Sequence, residues 1–546
     1  MVDATPDMNL PEPPRMFRLQ EDGGVNDSER LLSRLCRRSF LRLWAYSNLF
    51  TDEGRRDVRS SSTEFCDALV VFGDDVLIFS DKQIKFNDAK PLDVAWPRWY
   101  RKAVNESIKQ LWGARSWLTR FPDRVFLDAA CEHRLPFPLP TPDRARYHLI
   151  AVTRGTRDAA KLHFGDDLGS LIISTDVPAA DFAAHPFVIG RQDSSRGFIH
   201  VLDEVALEIV MEELDTITDF LAYINRREAL LGHPDVGVHA PGEEALVATY
   251  LTTMDPSDEH CFVNFDPAAP PNLIAFSDAA YRGLQSNPAY IEKKRLDDDS
   301  RFWDELIDRF ITHADPLANP EGVPARPEDV EPALRYMAAE PRFRRRMLTS
   351  VLRDMMLATP AGAGRTRLFG LEEQRDPSYV LMVTSKPEDE TYDDYREHRR
   401  LRLFAYCQAA KLRLRGSNIF VGLAFDNPHD NAPGVTEDLL LWEQRVWNEE
   451  IEADIQRRAA EVNILGPNVQ VSRFSMQEFP DQPAAAPARA EIAEIFAGLN
   501  ARTTATVGKR PKDKKKRDKV VAKSKRANRR KKRWMTGTCR SADCQR

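Results

Sequence analysis

Glu64-Phe65-Cys66-Asp67-Ala68-Leu69-Val70-Val71-Phe72-Gly73-Asp74-Asp75-Val76-Leu77-Ile78-Phe79-Ser80-Asp81-Lys82 reads as two apolar runs about a Gly-Asp-Asp turn, each with polar groups at its far end. Gly and Asp tolerate the dihedrals of a tight reversal, and Val, Leu, Ile and Phe on both sides suit paired strands, so the stretch predicts a β-hairpin. A turn centred near Asp74 sets Asp67 opposite residues 80 to 82, at a cross-strand separation of roughly 5 Å. A carboxylate and a lysine then share one small volume. Period-two alternation turns Asp81 to the face opposite Ser80 and Lys82 unless a bulge or the strand end intervenes. Glu64, three residues before Asp67, offers a second carboxylate from the start of the same strand.

Such a pairing suits phosphodiester hydrolysis. Carboxylate oxygens hold Mg²⁺ or Mn²⁺, and a nearby Lys orients water and offsets the charge that grows on phosphate. Asp67, twelve residues, then Ser80-x-Lys82 at the end of a second apolar strand resembles the core of the PD-(D/E)XK nuclease superfamily, in particular its nuclease-related bacterial branch. The resemblance implies a restriction-endonuclease-like core with catalytic Asp67 and Lys82 and a Glu on the preceding helix. Glu29 fits that last place, opening a helix that Asn26, Asp27 or Ser28 can cap, with Leu32 and Cys36 on the same apolar side. The family's second acid falls at Ser80, a neutral hydroxyl. The metal ligands implied are therefore Asp67 with Glu64 or Asp81. The order of these motifs, with a helix opening Trp96-Pro-Arg-Trp-Tyr-Arg101, also resembles large bacterial proteins that often sit among defence genes.

The chain of 546 residues is long enough for several cores, and 42% hydrophobic with 30% charged residues is the composition of a globular protein. No apolar run approaches the roughly 18 residues of a membrane span, and the acidic, proline-rich N-terminus lacks a signal-peptide core, so a cytoplasmic protein without membrane contact is expected. Seven scattered cysteines without a repeating spacing point the same way, towards a reducing compartment.

The net charge of −6 conceals an asymmetry: residues 509 to 533 hold sixteen Lys or Arg against two Asp, a net of +14, which leaves −20 for the rest. Composition predicts disorder for this tail and a polyanion, DNA or RNA, as its partner, through Lys514, Lys515, Lys516, Arg517, Arg529, Arg530 and Lys531. Arg101 and Lys102, on an amphipathic helix expected over about 98 to 119, add a second basic surface beside the hairpin.

The expected class is α/β, as a multidomain α+β chain. It comprises a disordered 1–25, a nuclease-like core 26–125 with a helix over 27–47, a mixed α+β region 126–289, a helical segment 290–360, a C-terminal α/β unit 361–480, and a linker with basic tail 481–546. In the mixed region, strands are expected at 147–153, 171–175, 198–202 and 245–252, with one helix through 205–227. The basic run Arg342-Phe-Arg-Arg-Arg-Met347 reads as a solvated face. The α/β unit reads as strand 379–384, helix 392–413 and strands 418–425 and 438–442. Three functions compete: a Mg²⁺-dependent nuclease, a non-catalytic nucleic-acid binder on the same fold with Ser80 marking a lost metal site, and a scaffold whose acidic body binds proteins.

Overall fold

The computed structural model describes residues 16–20, 24, 26–53, 62–192, 196–266, 268–313, 326–371, 376–430, 436–466 and 470–480. The basic tail, with Lys514 to Arg517 and Arg529 to Lys531, lies outside them, as do the linker after residue 480 and most of the first 25 residues.

The quoted hairpin forms as expected, from β2 (Thr63–Phe72) and β3 (Asp75–Gln83), joined by Gly73-Asp74. Gly73 has φ 61°, a left-handed conformation that costs glycine nothing. Strands β1 (Ala45–Thr51), β4 (Arg146–Arg154) and β7 (Ile199–Asp203) complete a five-stranded sheet of order β1-β2-β3-β4-β7. The first three strands run antiparallel, while β3, β4 and β7 run parallel. Two strands of this sheet therefore come from beyond residue 125.

Helix α1 (Asp27–Phe40) is capped by Asn26, whose side chain accepts from the Glu29 amide. It stops at Phe40 rather than at 47, because Leu41 takes φ 63° and the apolar run after it enters the sheet as β1. Phe40, Phe79 and Phe220 pack ring to ring, which places α1 and α6 (Ile217–Leu231) on one face of the sheet. The opposite face is covered by α2 (Leu92–Tyr100), a π-helical turn over Arg101–Asn105, and α3 (Glu106–Arg120). Trp99 donates through Nε1 to the carbonyls of Ile84 and Arg154, tying the start of this long helix to the C-terminal ends of β3 and β4.

The middle region contains α4 (Arg157–Phe164), α5 (Glu204–Glu213), α7 (Glu243–Thr252) and α8 (Ala280–Ser286). Its small sheet, of order β6-β5-β8-β9, comprises β5 (Ile172–Ser174), β6 (Val188–Ile189), β8 (Gly237–Ala240) and β9 (Leu273–Ala275). Two expectations fail here. Residues 245–252 form a helix, not a strand, because the run is buried on nearly every side and so shows neither period. The helix over 205–227 is broken at Leu214-Asp215-Thr216, where Thr216 caps α6.

Helices α9 (Pro288–His313), α10 (Pro327–Ala338) and α11 (Arg342–Leu357) pack around Trp303, Leu334 and Leu352. The basic run at the start of α11 is not a solvated face. Arg342, Arg344, Arg345 and Arg346 are buried, and Arg342 is paired with Asp215 and Asp304, both at 2.8 Å. The C-terminal unit is a sheet of order β10-β11-β12-β13, from β10 (Arg365–Phe369), β11 (Ser378–Thr384), β12 (Ile419–Asp426) and β13 (Glu437–Glu443), with β11 and β12 parallel. Tyr379, Leu381 and Val383 face the large core, whereas Val380 and Met382 face α12 (Tyr392–Ala410), so β11 is apolar on both sides. Helix α13 (Glu449–Glu461) follows. The chain is thus a multidomain α/β protein. Among the described residues no helix is long and apolar enough to cross a membrane.

Candidate functional site

Pairing between β2 and β3 ends at Ala68 opposite Phe79. Beyond that point β2 stays with β1 as far as Thr63 opposite Thr51, and β3 stays with β4 as far as Gln83 opposite Arg154. The sheet therefore forks, and the predicted polar residues lie at the fork. The β2–β3 register is one residue tighter than a turn centred on Asp74 gives.

Asp67 closes the fork. Its Oδ2 accepts a hydrogen bond of 2.7 Å from the Asp81 amide, replacing the main-chain acceptor that β2 no longer supplies as it diverges. The residue is 8% exposed, and burial pushes its carboxyl up from 3.8 to about 6. The Asp81 amide and the Lys82 charge pull in the other direction, whereas the Asp81 and Glu29 charges add to the rise. Glu64 is likewise raised, by burial first and then by Asp67 and Glu29, with Lys82 opposing. Glu29, Glu64, Asp67 and Lys82 thus interact as one electrostatic group, and Asp81 joins it through its charge on Asp67.

Asp81 and Ser80 point in opposite directions, as alternation requires. The Asp81 carboxylate receives Arg154 Nε on both oxygens, at 2.9 and 3.0 Å, a buried ion pair with the last residue of β4. Burial still raises its carboxyl despite Arg154. Ser80 faces α3, its hydroxyl 3.2 Å from Ser107 Oγ and donating to Gln110 Oε1 at 3.0 Å. Lys82 is half-buried and makes no hydrogen bond or ion pair with the described residues. Asn26 Nδ2 donates to Glu29 Oε1, fixing that carboxylate at the helix start.

Sequence reasoning missed Arg154, Ser107 and Gln110. A signal for Arg154 was available: Leu149-Ile-Ala-Val-Thr-Arg154 is an apolar strand with a charged residue at its end, the pattern that singled out Asp67 and Lys82. Arg98, Arg101, Lys102 and Lys109 are exposed along the α2–α3 helix, without ion pairs among the described residues.

The donor chemistry at the fork suits a hard divalent cation, since Glu29, Glu64 and Asp67 offer carboxylate oxygens; Glu64 is raised by burial and by Asp67, and Asp67 by burial and by the Asp81 and Glu29 charges. Among the described residues no three His, Cys, Asp or Glu side chains are grouped as a ready ligand set. Mg²⁺ does not require one, because it keeps several waters and binds through one or two carboxylates. Comparison of the chain with protein-family models, with curated proteins and with solved structures finds no match in any of the three.

Proposed function

We propose that the fork is a divalent-cation site for phosphodiester hydrolysis of nucleic acid. The observation that carries this reading is Asp67: a buried carboxylate, raised to about 6, at the end of a strand beside a second raised carboxylate and a lysine free of other ion pairs among the described residues. Charge that the protein itself leaves uncompensated favours a bound cation. The layout supports the same reading, since the helix of Glu29, the hairpin and the helix opening at Trp96 follow in the order given with the PD-(D/E)XK resemblance.

In this proposal Asp67 and Glu64 present the ligand oxygens, and Asp81 contributes its amide rather than its carboxylate, holding Asp67 in one orientation. Lys82 lies where it can orient a water and offset charge on the phosphate, and Glu29 completes the acidic wall. Mg²⁺ or Mn²⁺ supplies Lewis acidity and a more acidic water. The basic tail and the Arg98 to Lys109 helix face retain the polyanion. The five described cysteines are free, which fits a reducing cytoplasm.

One observation favours a second reading. Ser80 gives no carboxylate and is turned to Gln110, so the fold can also serve as a nucleic-acid binder that has lost hydrolysis. Incubating the full chain with plasmid, linear DNA and RNA in Mg²⁺, Mn²⁺ or EDTA separates the two. Cleavage that needs the metal is expected, falling by about 10²–10³-fold in Lys82→Ala and to background in Asp67→Asn, with binding retained in both. Binding without cleavage of any substrate in either metal would establish the second reading.

A further inference from the structure

We propose that Arg154 is a fixed internal cation standing beside Asp81 where a second divalent ion would sit, so that the fork holds a single ion. The role rests on the reading of the fork as a cation site and specifies how many ions it takes. Two-metal phosphodiesterase sites place their ions about 3.5–4 Å apart, which demands carboxylate oxygens open to both. Here the two oxygens of Asp81 are both taken by Arg154 Nε, at 2.9 and 3.0 Å, and the pair is shut away, with side chains 5% and 0% exposed for Arg154 and Asp81. The single Nε–H is shared between both oxygens, so the guanidinium charge lies where an ion bridging them would sit.

The backbone couples this pair to the ligand position. Asp81 donates its amide to Asp67 Oδ2, so the Arg154–Asp81 pair and the Asp67 carboxylate form adjoining parts of one closed end of the fork. Arg154 also keeps a donor in reserve, since its Nη2 is buried with no partner among the described residues, unlike a guanidinium saturated for stability alone.

The test is Mg²⁺ titration of the full chain by calorimetry, together with melting temperature in EDTA and in Mg²⁺. Wild type is expected to bind one Mg²⁺. Arg154→Met exposes the Asp81 oxygens to a cation: its melting temperature falls in EDTA, recovers in Mg²⁺ by more than wild type gains, and its affinity rises about tenfold or a second site appears. Arg154→Lys should behave as wild type, and Asp81→Asn with Arg154→Met should lose the extra metal response. A metal response in Arg154→Met no larger than in wild type overturns the inference. Wild type that ignores Mg²⁺ while Arg154→Met binds it would overturn the hydrolytic reading and leave Arg154 as the occupant that keeps the ion out.

Discussion

Carboxylates gather at strand ends in both the first sheet and the C-terminal sheet, and their surroundings differ. In the C-terminal sheet Asp426 accepts from Tyr392, Tyr395, the Thr436 amide and Arg399, while Asp438 accepts from Arg396, Arg399 and Arg400. Burial pushes Asp438 up, yet the three arginines outweigh it and hold the carboxyl below the ordinary range. At the fork of the first sheet the balance is reversed, with Asp67 and Glu64 raised and Lys82 and Arg154 the nearby cations. A carboxylate saturated by arginines has no charge left for a ligand. The C-terminal group is a structural lock by that criterion, whereas at Asp67 and Glu64 burial outweighs the compensation that nearby cations supply.

The largest effect belongs to the lock. Arg399→Met would strand two buried carboxylates, a loss of about 3–5 kcal/mol for a broken buried pair. Amide exchange should accelerate across β11, β12 and β13 while the hairpin of the first sheet keeps its protection. Asp67→Asn is the counterpart at the fork, and because Asn Oδ1 can still accept from the Asp81 amide while a buried charge is removed, no loss of stability is expected at pH 7. Equal losses in the two variants would erase the distinction between lock and site.

The same contrast explains what the sequence disclosed. The hairpin was readable because Gly73-Asp74 marks the reversal and both strands are apolar up to their polar ends. The neighbourhood of Asp67 and Lys82 was readable because the Gly73-Asp74 turn fixes the register of β2 against β3 to within one residue. Arg154 was not paired with Asp81 in advance, since their contact spans 73 residues and depends on β3 and β4 running parallel. The buried arginines of α11 fail for the same reason: Arg342 meets Asp215 across 127 residues, and without that partner a basic run reads as solvated. Residues 245 to 252 show the limit of periodicity, because a helix buried all round carries no polar stripe to identify it.

A smaller effect follows from protons. The folded chain holds the Asp67 proton until about pH 6, whereas an ordinary aspartate releases it near 3.8. Between those values the folded state binds more protons than the unfolded chain, so the contribution of Asp67 is whole below pH 3.8 and is lost as pH rises through 6. The loss is at most about 3 kcal/mol, and less to the extent that water reaches the carboxylate. Melting curves in EDTA between pH 4 and 7 should therefore fall more steeply for wild type than for Asp67→Asn, and Mg²⁺ at pH 7 should restore part of the difference. Parallel curves for the two proteins would mean that the Asp67 charge is already compensated, as in the C-terminal lock.

The smallest expected effect concerns cations rather than carboxylates. Arg399 is enclosed by its partners, but Arg98, Arg101, Lys102 and Lys109 project from the α2–α3 helix without ion pairs among the described residues, and Trp99 pins that helix beside the ends of β3 and β4. Exposed and unpaired, they cost the fold nothing to replace, so Lys102→Ala should leave the melting temperature unchanged. If a phosphate lies against Lys102, releasing its counterion contributes about 0.9 to the slope of log affinity against log salt, and the substitution should lower the slope by that amount. Deleting residues 503 to 546 should lower it by several times more, because sixteen Lys or Arg are concentrated in residues 509 to 533. A slope that responds to the deletion but not to Lys102→Ala would confine nucleic-acid contact to the tail and leave the fork without a track leading to it.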